Sequence, residues 1–181
     1  MNISFTFPYD ELIKKGNLRG VTVDDQQLQI KNGVVDNEWL TTEVKKNCKT
    51  KTTPGGVVYY AEVPDLGENV EISNRGLTHG FSRPNDRKTG QTKLSAINTA
   101  KATLHIVDIL QNSIEVNRSA RATNANVPYT HVLVGVIGLK NQAGDIEYYA
   151  VRSMVEERIN NSPLLTEVDI IGKLSSINAK K

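Results

Sequence analysis

The stretch "YTHVLVGVIGLKNQAGDIEYYAVRSMVEE", residues 129–157, sets the expected architecture. Two runs rich in β-branched and aromatic residues flank "NQAG", which is loop chemistry of hairpin length, so the runs pair antiparallel. Side chains alternate along each strand. With Leu139 opposite Ile146, Val132, Val134 and Val136 share a face with Tyr149, Val151 and Ser153. His131, Leu133, Arg152 and Met154 then occupy the other. The valine face is expected to pack on a helix, which leaves His131 and Arg152 together on the far side. This sorting depends on register, because a one-residue slip turns one strand's set over relative to the other's.

The helix expected to cover the sheet lies upstream. Ile97, Ala100, Leu104, Val107 and Leu110 recur at three- and four-residue intervals, predicting one long helix over 91–113. Further upstream the chain reads as strands: "GVTVDDQQLQIKNGVV" (20–35) with an Asn32-Gly33 hairpin turn, "PGGVVYYAEVP" (54–64) and "NVEIS" (69–73). An extended start at 3–7 precedes Pro8 and a brief helix over 9–16. A last strand is expected at "EVDII" (167–171), before a basic end. The fold class is therefore α+β, a long helix on an antiparallel sheet. Residues 1–69 form a β-rich N-terminal region and 70–181 the α+β unit, or the two make one continuous domain.

A chain of 181 residues and 20.0 kDa has the size of a single domain. With 38% hydrophobic and 23% charged residues, it has the composition of a folded globular protein. The net charge of +2 is too mild to identify a nucleic-acid binder, but the cations are concentrated. Arg75, Arg83, Arg87, Lys88 and Lys93 face only Asp86 within residues 75–93, and Lys45, Lys46, Lys49 and Lys51 cluster within 45–51. Cys48 is the single cysteine, so no intrachain disulfide framework is expected. Its lysine neighbours favour a thiolate, yet no base accompanies it and it stays outside the mechanism. The three histidines lack metal-ligand spacing and "PGGVV" lacks the lysine and threonine of a P-loop, so no metal or cofactor is expected. No export signal and no bilayer-length apolar run are read, so a soluble, cytoplasmic protein without a membrane partner is expected.

One segment concentrates chemistry: "NRGLTHGFSRPNDRKTG", residues 74–90. An unperturbed histidine titrates near neutrality, so His79 suits a general acid or base. Arg83, four positions on, suits a bidentate phosphate clamp. Gly76 and Gly80 would let backbone amides approach an anion. The alternative is that His79 caps the following segment and the cations are solvated. His131 opens a strand beside Tyr129, on the face expected to carry Arg152. His105 is expected on the helix surface, pairing with Lys101 and Asp108. Tyr149 is expected in the core, leaving Tyr148 to stack on a base or donate its hydroxyl to a phosphate.

Taken together, "VEISNRGLTHGFSR" (70–83), "DILQNSIEV" (108–116) and the hairpin from His131 onward resemble the nuclease-like domains of the barnase, EndoU, colicin and RelE group, which occur in polyvalent proteins of phages and mobile elements. The resemblance covers residues 70–157 and leaves 1–69 unassigned. It implies an α+β fold and a toxin-like effector that cleaves RNA without metal, by attack of the ribose 2′-hydroxyl. Such cleavage needs a base, an acid and cations on the phosphorane. The expected catalytic set is His79, Arg83, His131 and Arg152, with Arg87, Lys88 and Tyr148 binding substrate. RNA, including tRNA, and an immunity or host protein are the implied partners, met in the host cytoplasm. The alternative is a non-catalytic phage or mobile-element protein that binds a host protein or nucleic acid. A structural virion component is a third possibility.

Overall fold

The computed structural model describes residues 20–79, 93–120 and 126–174. The expected strand at 3–7, the helix at 9–16, Gly80, Arg83, Arg87 and Lys88 lie outside the described residues. In chain order the elements are β1 (Thr22–Val23), β2 (Ile30–Lys31), β3 (Val34–Val35), α1 (Asn37–Lys46), β4 (Lys49–Thr53), β5 (Gly56–Val63) and β6 (Glu68–Glu71). They continue with α2 (Asn74–Thr78), α3 (Lys93–Leu104), α4 (Ile106–Asn112), β7 (Ile114–Ala120), β8 (Tyr129–Lys140), β9 (Ile146–Arg158) and β10 (Asn161–Lys173).

An 8-stranded sheet runs in the order β1-β8-β9-β10-β6-β5-β4, with β7 also paired to β8. It is mixed: β1 with β8 and β10 with β6 are parallel, and the remaining pairs are antiparallel. The expected boundary at 69/70 falls inside β6, which joins β5 on one side and β10 on the other. Both parts of the chain therefore belong to one sheet. The Asn32-Gly33 hairpin forms as read, with positive φ at both residues (53° and 78°), the geometry a two-residue turn requires.

The β8–β9 register differs by one residue from the expected one. Lys140 faces Ile146 and Leu139 faces Glu147. Asp145 belongs to the turn, its carbonyl accepting from Asn141 N at 2.8 Å, while Asn141 Oδ1 accepts from Ala143 N and Asp145 N, both at 3.0 Å. The slip reverses the sorting. His131 now lies opposite Val155 and Leu133 opposite Ser153, whereas Arg152 lies opposite Val134. His131 and Arg152 are thus on opposite faces of the sheet.

The helices cover the face of Leu133 and Ile137, not the valine face. These residues join Val151, Val155, Leu165 and Val168 in one core with Ala100, Ile106, Ile109 and Leu110. Each fully buried leucine or isoleucine there contributes ~1.5–3 kcal/mol. Gly135 shows how closely α4 approaches: an added Cβ would stand 2.7 Å from Ile109 Cγ2. Val134 and Val136 form a smaller cluster on the other face with Ala150 and Leu174.

The single long helix expected over 91–113 is two helices, α3 and α4, broken at His105 (φ −101°, ψ 17°). Its ring is engaged elsewhere: His105 Nε2 lies 2.7 Å from Oδ1 of Asp24, a residue only 5% exposed, and Lys101 Nζ is 3.9 Å from Oδ2. The expected partner Asp108 is not the one His105 contacts.

Candidate functional site: the His79 cleft

The five-residue helix α2 carries "NRGLT" onto β10. Ser73 caps its start, Oγ accepting from Gly76 N at 3.2 Å. His79 closes its end, its backbone N–H donating to Arg75 O at 3.1 Å. Gly76 serves close packing and not anion approach: an added Cβ would stand 2.1 Å from the Leu165 carbonyl oxygen. His79 is thereby held against β10 just where that strand shifts register between Leu165 and Glu167. Thr166, at the irregularity, donates its hydroxyl to Met154 O at 3.3 Å.

A cleft of about 390 Å³ opens there, lined among others by Arg75, His79, Met154, Glu156, Leu164 and Glu167. Across it His79 Nδ1 faces Glu167 Oε1 at 3.9 Å. The imidazole is 58% exposed, and Arg75 is also exposed. Glu167 lies opposite Met154 on β9, and one alternation further Asp169 lies opposite Arg152. All four therefore share one face of the sheet. Arg152 is clamped there in a two-point pair, Nε to Asp169 Oδ1 at 3.0 Å and Nη2 to Oδ2 at 2.6 Å.

His131 stands apart, on the opposite face and buried. Glu115 Oε1 lies 3.3 Å from its Nδ1 and Glu157 Oε2 lies 3.2 Å from its Nε2, so both ring nitrogens are engaged. Arg118 lies over the Tyr129 ring at 3.8 Å and reaches Glu157 at 3.7 Å. Tyr148 packs beside the small cluster around Val136 and Ala150 and does not line the cleft. Tyr149 packs against the main core, as expected, and donates its hydroxyl to Glu147 at 2.9 Å. Burial first, then Glu147, holds that phenol above its ordinary range. At Cys48 burial outweighs Lys45 and pushes the thiol up to about 11, against the lowering its lysine neighbours suggest.

Of the expected set, His79 lines the cleft, Arg152 lies one alternation beyond Met154 on the face of Glu167 and does not line it, and His131 is on the opposite face of the sheet. Glu167 and Asp169 are the partners that sequence reading leaves out. Their signal is present in "EVDII": two carboxylates two residues apart on a strand share a face. Among the described residues, no group of three or more His, Cys, Asp or Glu is placed to hold a metal ion, and no helix is long and apolar enough to cross a membrane. No family model matches the sequence, and no curated protein or solved structure matches it.

Proposed function

We propose that this chain is a ribonuclease-like effector of the phage and mobile-element kind, working without metal and moving protons through His79 and Glu167. The observation that carries the reading is the imidazole and carboxylate facing each other across an open cleft, 3.9 Å apart, with Arg75 among the lining residues. The resemblance of residues 70–157 to the barnase, EndoU, colicin and RelE group supports the same chemistry. Glu167 takes the proton of the ribose 2′-hydroxyl, and the 2′-oxygen attacks phosphorus. His79 protonates the departing 5′-oxygen, leaving a 2′,3′-cyclic phosphate and a free 5′-hydroxyl. Arg75 stabilises the phosphorane. Arg83, Arg87 and Lys88, which follow His79 in sequence, supply phosphate contacts to the RNA. An immunity or host protein is the second partner of this reading, and the host cytoplasm its place of action.

A non-catalytic protein that binds nucleic acid or a host protein is the second reading. What favours it is that His131 is bracketed by Glu115 and Glu157 and Arg152 is clamped by Asp169, so two of the four expected catalytic groups are engaged within the fold. One experiment separates the two readings: incubation of the purified protein with total RNA and with tRNA, with and without a chelator. The ribonuclease reading expects chelator-resistant cleavage to cyclic or 3′-phosphate ends, no cleavage of DNA, and a ~10²–10⁴-fold loss in His79→Ala and Glu167→Gln at unchanged melting temperature. Binding of RNA with no cleavage rejects it in favour of the second reading.

A further inference from the structure

We propose that β4 is a docking edge for an extended acidic segment of a partner protein, which joins the sheet as a further strand with its carboxylates on the face of Lys49 and Lys51. The proposal goes beyond the reading above and does not depend on the chemistry at His79.

The backbone carries it first. β4 (Lys49–Thr53) ends the strand order, and among the described residues no strand pairs with its outer side. In an antiparallel pair, alternate residues turn their N–H and C=O away from the partner strand, so that side of β4 offers donors and acceptors to an incoming backbone. The other free edges are poorer templates. β1 has two residues, and β7 is broken by a register shift between Glu115 and Asn117, with the Glu115 N–H already donating to Asp65 Oδ2 at 2.6 Å. β4 pairs with β5 over all five of its residues without a shift.

The side chains carry it second. Lys49 and Lys51 alternate with Thr50 and Thr52, so the lysines share one face of the edge and the threonines the other. Lys49 reaches Glu62 at 3.3 Å with both side chains more than half exposed, and the exposed Lys51 forms no ion pair among the described residues. On the threonine face, Lys45 stands 4.8 Å from the ring centre of Tyr59, the β5 neighbour of Thr50. Val57, the neighbour of Thr52, is 53% exposed there. The edge therefore suits a strand in which acids alternate with β-branched residues, the acids against Lys49 and Lys51 and the β-branched side chains along Thr50 and Thr52. A second copy suits it poorly, because two β4 strands paired antiparallel set lysine against lysine. Lysines on an edge keep identical edges apart, and the same charge selects an acidic partner.

The probe is a fluorescein-labelled peptide of alternating glutamate and threonine, titrated onto the full chain by fluorescence anisotropy. It is expected to bind, and to slow amide hydrogen exchange over 49–53 but not over β7. A peptide of the same composition with its glutamates and threonines in two blocks is expected to bind about tenfold more weakly, because only alternation places every carboxylate on the lysine face. Lys49→Glu combined with Lys51→Glu is expected to weaken binding of the alternating peptide about tenfold or more, and to bind an alternating lysine and threonine peptide more tightly than the wild type does. Lys51→Glu alone serves if the double variant does not fold.

Failure of the alternating peptide to bind overturns the proposal. So does equal binding of the two glutamate peptides, which would make the edge a site for charge alone. Protection of 49–53 by a single-stranded RNA oligonucleotide and not by the alternating peptide would make it a nucleic-acid surface, with the same consequence. A dimer of the chain in size-exclusion chromatography that Lys51→Glu dissociates would assign the edge to a second copy and overturn the proposal as well.

Discussion

His105 Nε2 and Asp24 Oδ1 stand 2.7 Å apart across 81 positions of sequence, and this contact fastens β1 to the junction of α3 and α4. Asp24 also donates its backbone N–H to Gly138 O at 2.9 Å, continuing the parallel pairing of β1 with β8. A carboxylate this deeply buried needs the hydrogen-bond partner that the His105 ring supplies. His105→Ala should cost ~1–3 kcal/mol in urea unfolding, the usual scale for leaving a buried polar group without its partner, with Lys101 offsetting part of the loss. Asp24→Asn combined with His105→Ala should cost less than the two single losses added together. Strict additivity in that cycle would show that the contact does not carry the stability of β1.

Gly76 ties the fold to the cleft. A methyl group there meets the Leu165 carbonyl at 2.1 Å, which is backbone and cannot rotate away. Gly76→Ala should therefore lift α2 off β10, costing ~1–3 kcal/mol or more in thermal unfolding. On the ribonuclease reading proposed above, it should also lower RNA cleavage per folded molecule, because His79 lies three residues on. Wild-type stability in this variant would mean that α2 is not held where the structure has it.

The hairpin elements β8 and β9 and the turn at Asn32-Gly33 are legible in the sequence because alternation and turn chemistry are local signals. Their register is not, since it depends on whether Asp145 joins the turn or the strand, and alternation is blind to that choice. The helix break at His105 is hidden for the opposite reason: the apolar spacing continues through it, and the distant Asp24 engages the ring. The helix α1 is missed because Leu40, Thr41 and Val44 are its only buried positions, a sparse stripe with two β-branched members. His79 is legible as a candidate from its glycine and arginine neighbours. Its partner Glu167 is brought to it by the irregularity in β10, which no sequence period announces.

Cys48 offers a check on burial at the α1–β4 junction. Its thiol donates to Val44 O at 3.5 Å, and burial raises it from 9.0 to about 11. The group is thus held as the neutral thiol, which contributes stability below its ordinary range; that contribution is lost as pH rises through about 11. At pH 8 the thiolate population should be about one hundredth of that of a thiol at 9.0, and iodoacetamide should label the native protein correspondingly slowly. Labelling at the rate of the urea-unfolded chain would show that the site is open.

Glu147 makes the converse case at the sheet end. The Asn141 amide at 3.1 Å, the Lys173 ammonium at 3.0 Å and the Tyr149 hydroxyl at 2.9 Å all donate to it and hold its carboxyl down at about 2. A lowered carboxyl stabilises the fold above its ordinary range near 4.5 and loses that contribution as pH falls through about 2. The melting-temperature gap between wild type and Glu147→Gln should be present at pH 6 and close as pH approaches 2. Solvent exposure keeps the gap small. A gap that stays constant over this range would remove the ionised carboxylate as its cause.

His131 separates a structural histidine from the catalytic role proposed for His79. Its two nitrogens meet carboxylates from β7 and β9 while its own strand lies between them, so the ring ties three strands together. Removing it leaves Glu115 and Glu157 without their shared partner and opens a void at a position 8% exposed. His131→Ala should therefore lower stability by ~1–3 kcal/mol in denaturant unfolding. On the proposed ribonuclease reading, RNA cleavage normalised to folded protein should stay within about twofold of wild type, in contrast to the ~10²–10⁴-fold loss expected for His79→Ala. The contrast is decisive because both substitutions remove an imidazole, and only one of the two rings lines the cleft. A large loss of normalised cleavage in His131→Ala, with little change in stability, would move the proton-transfer site to the opposite face of the sheet.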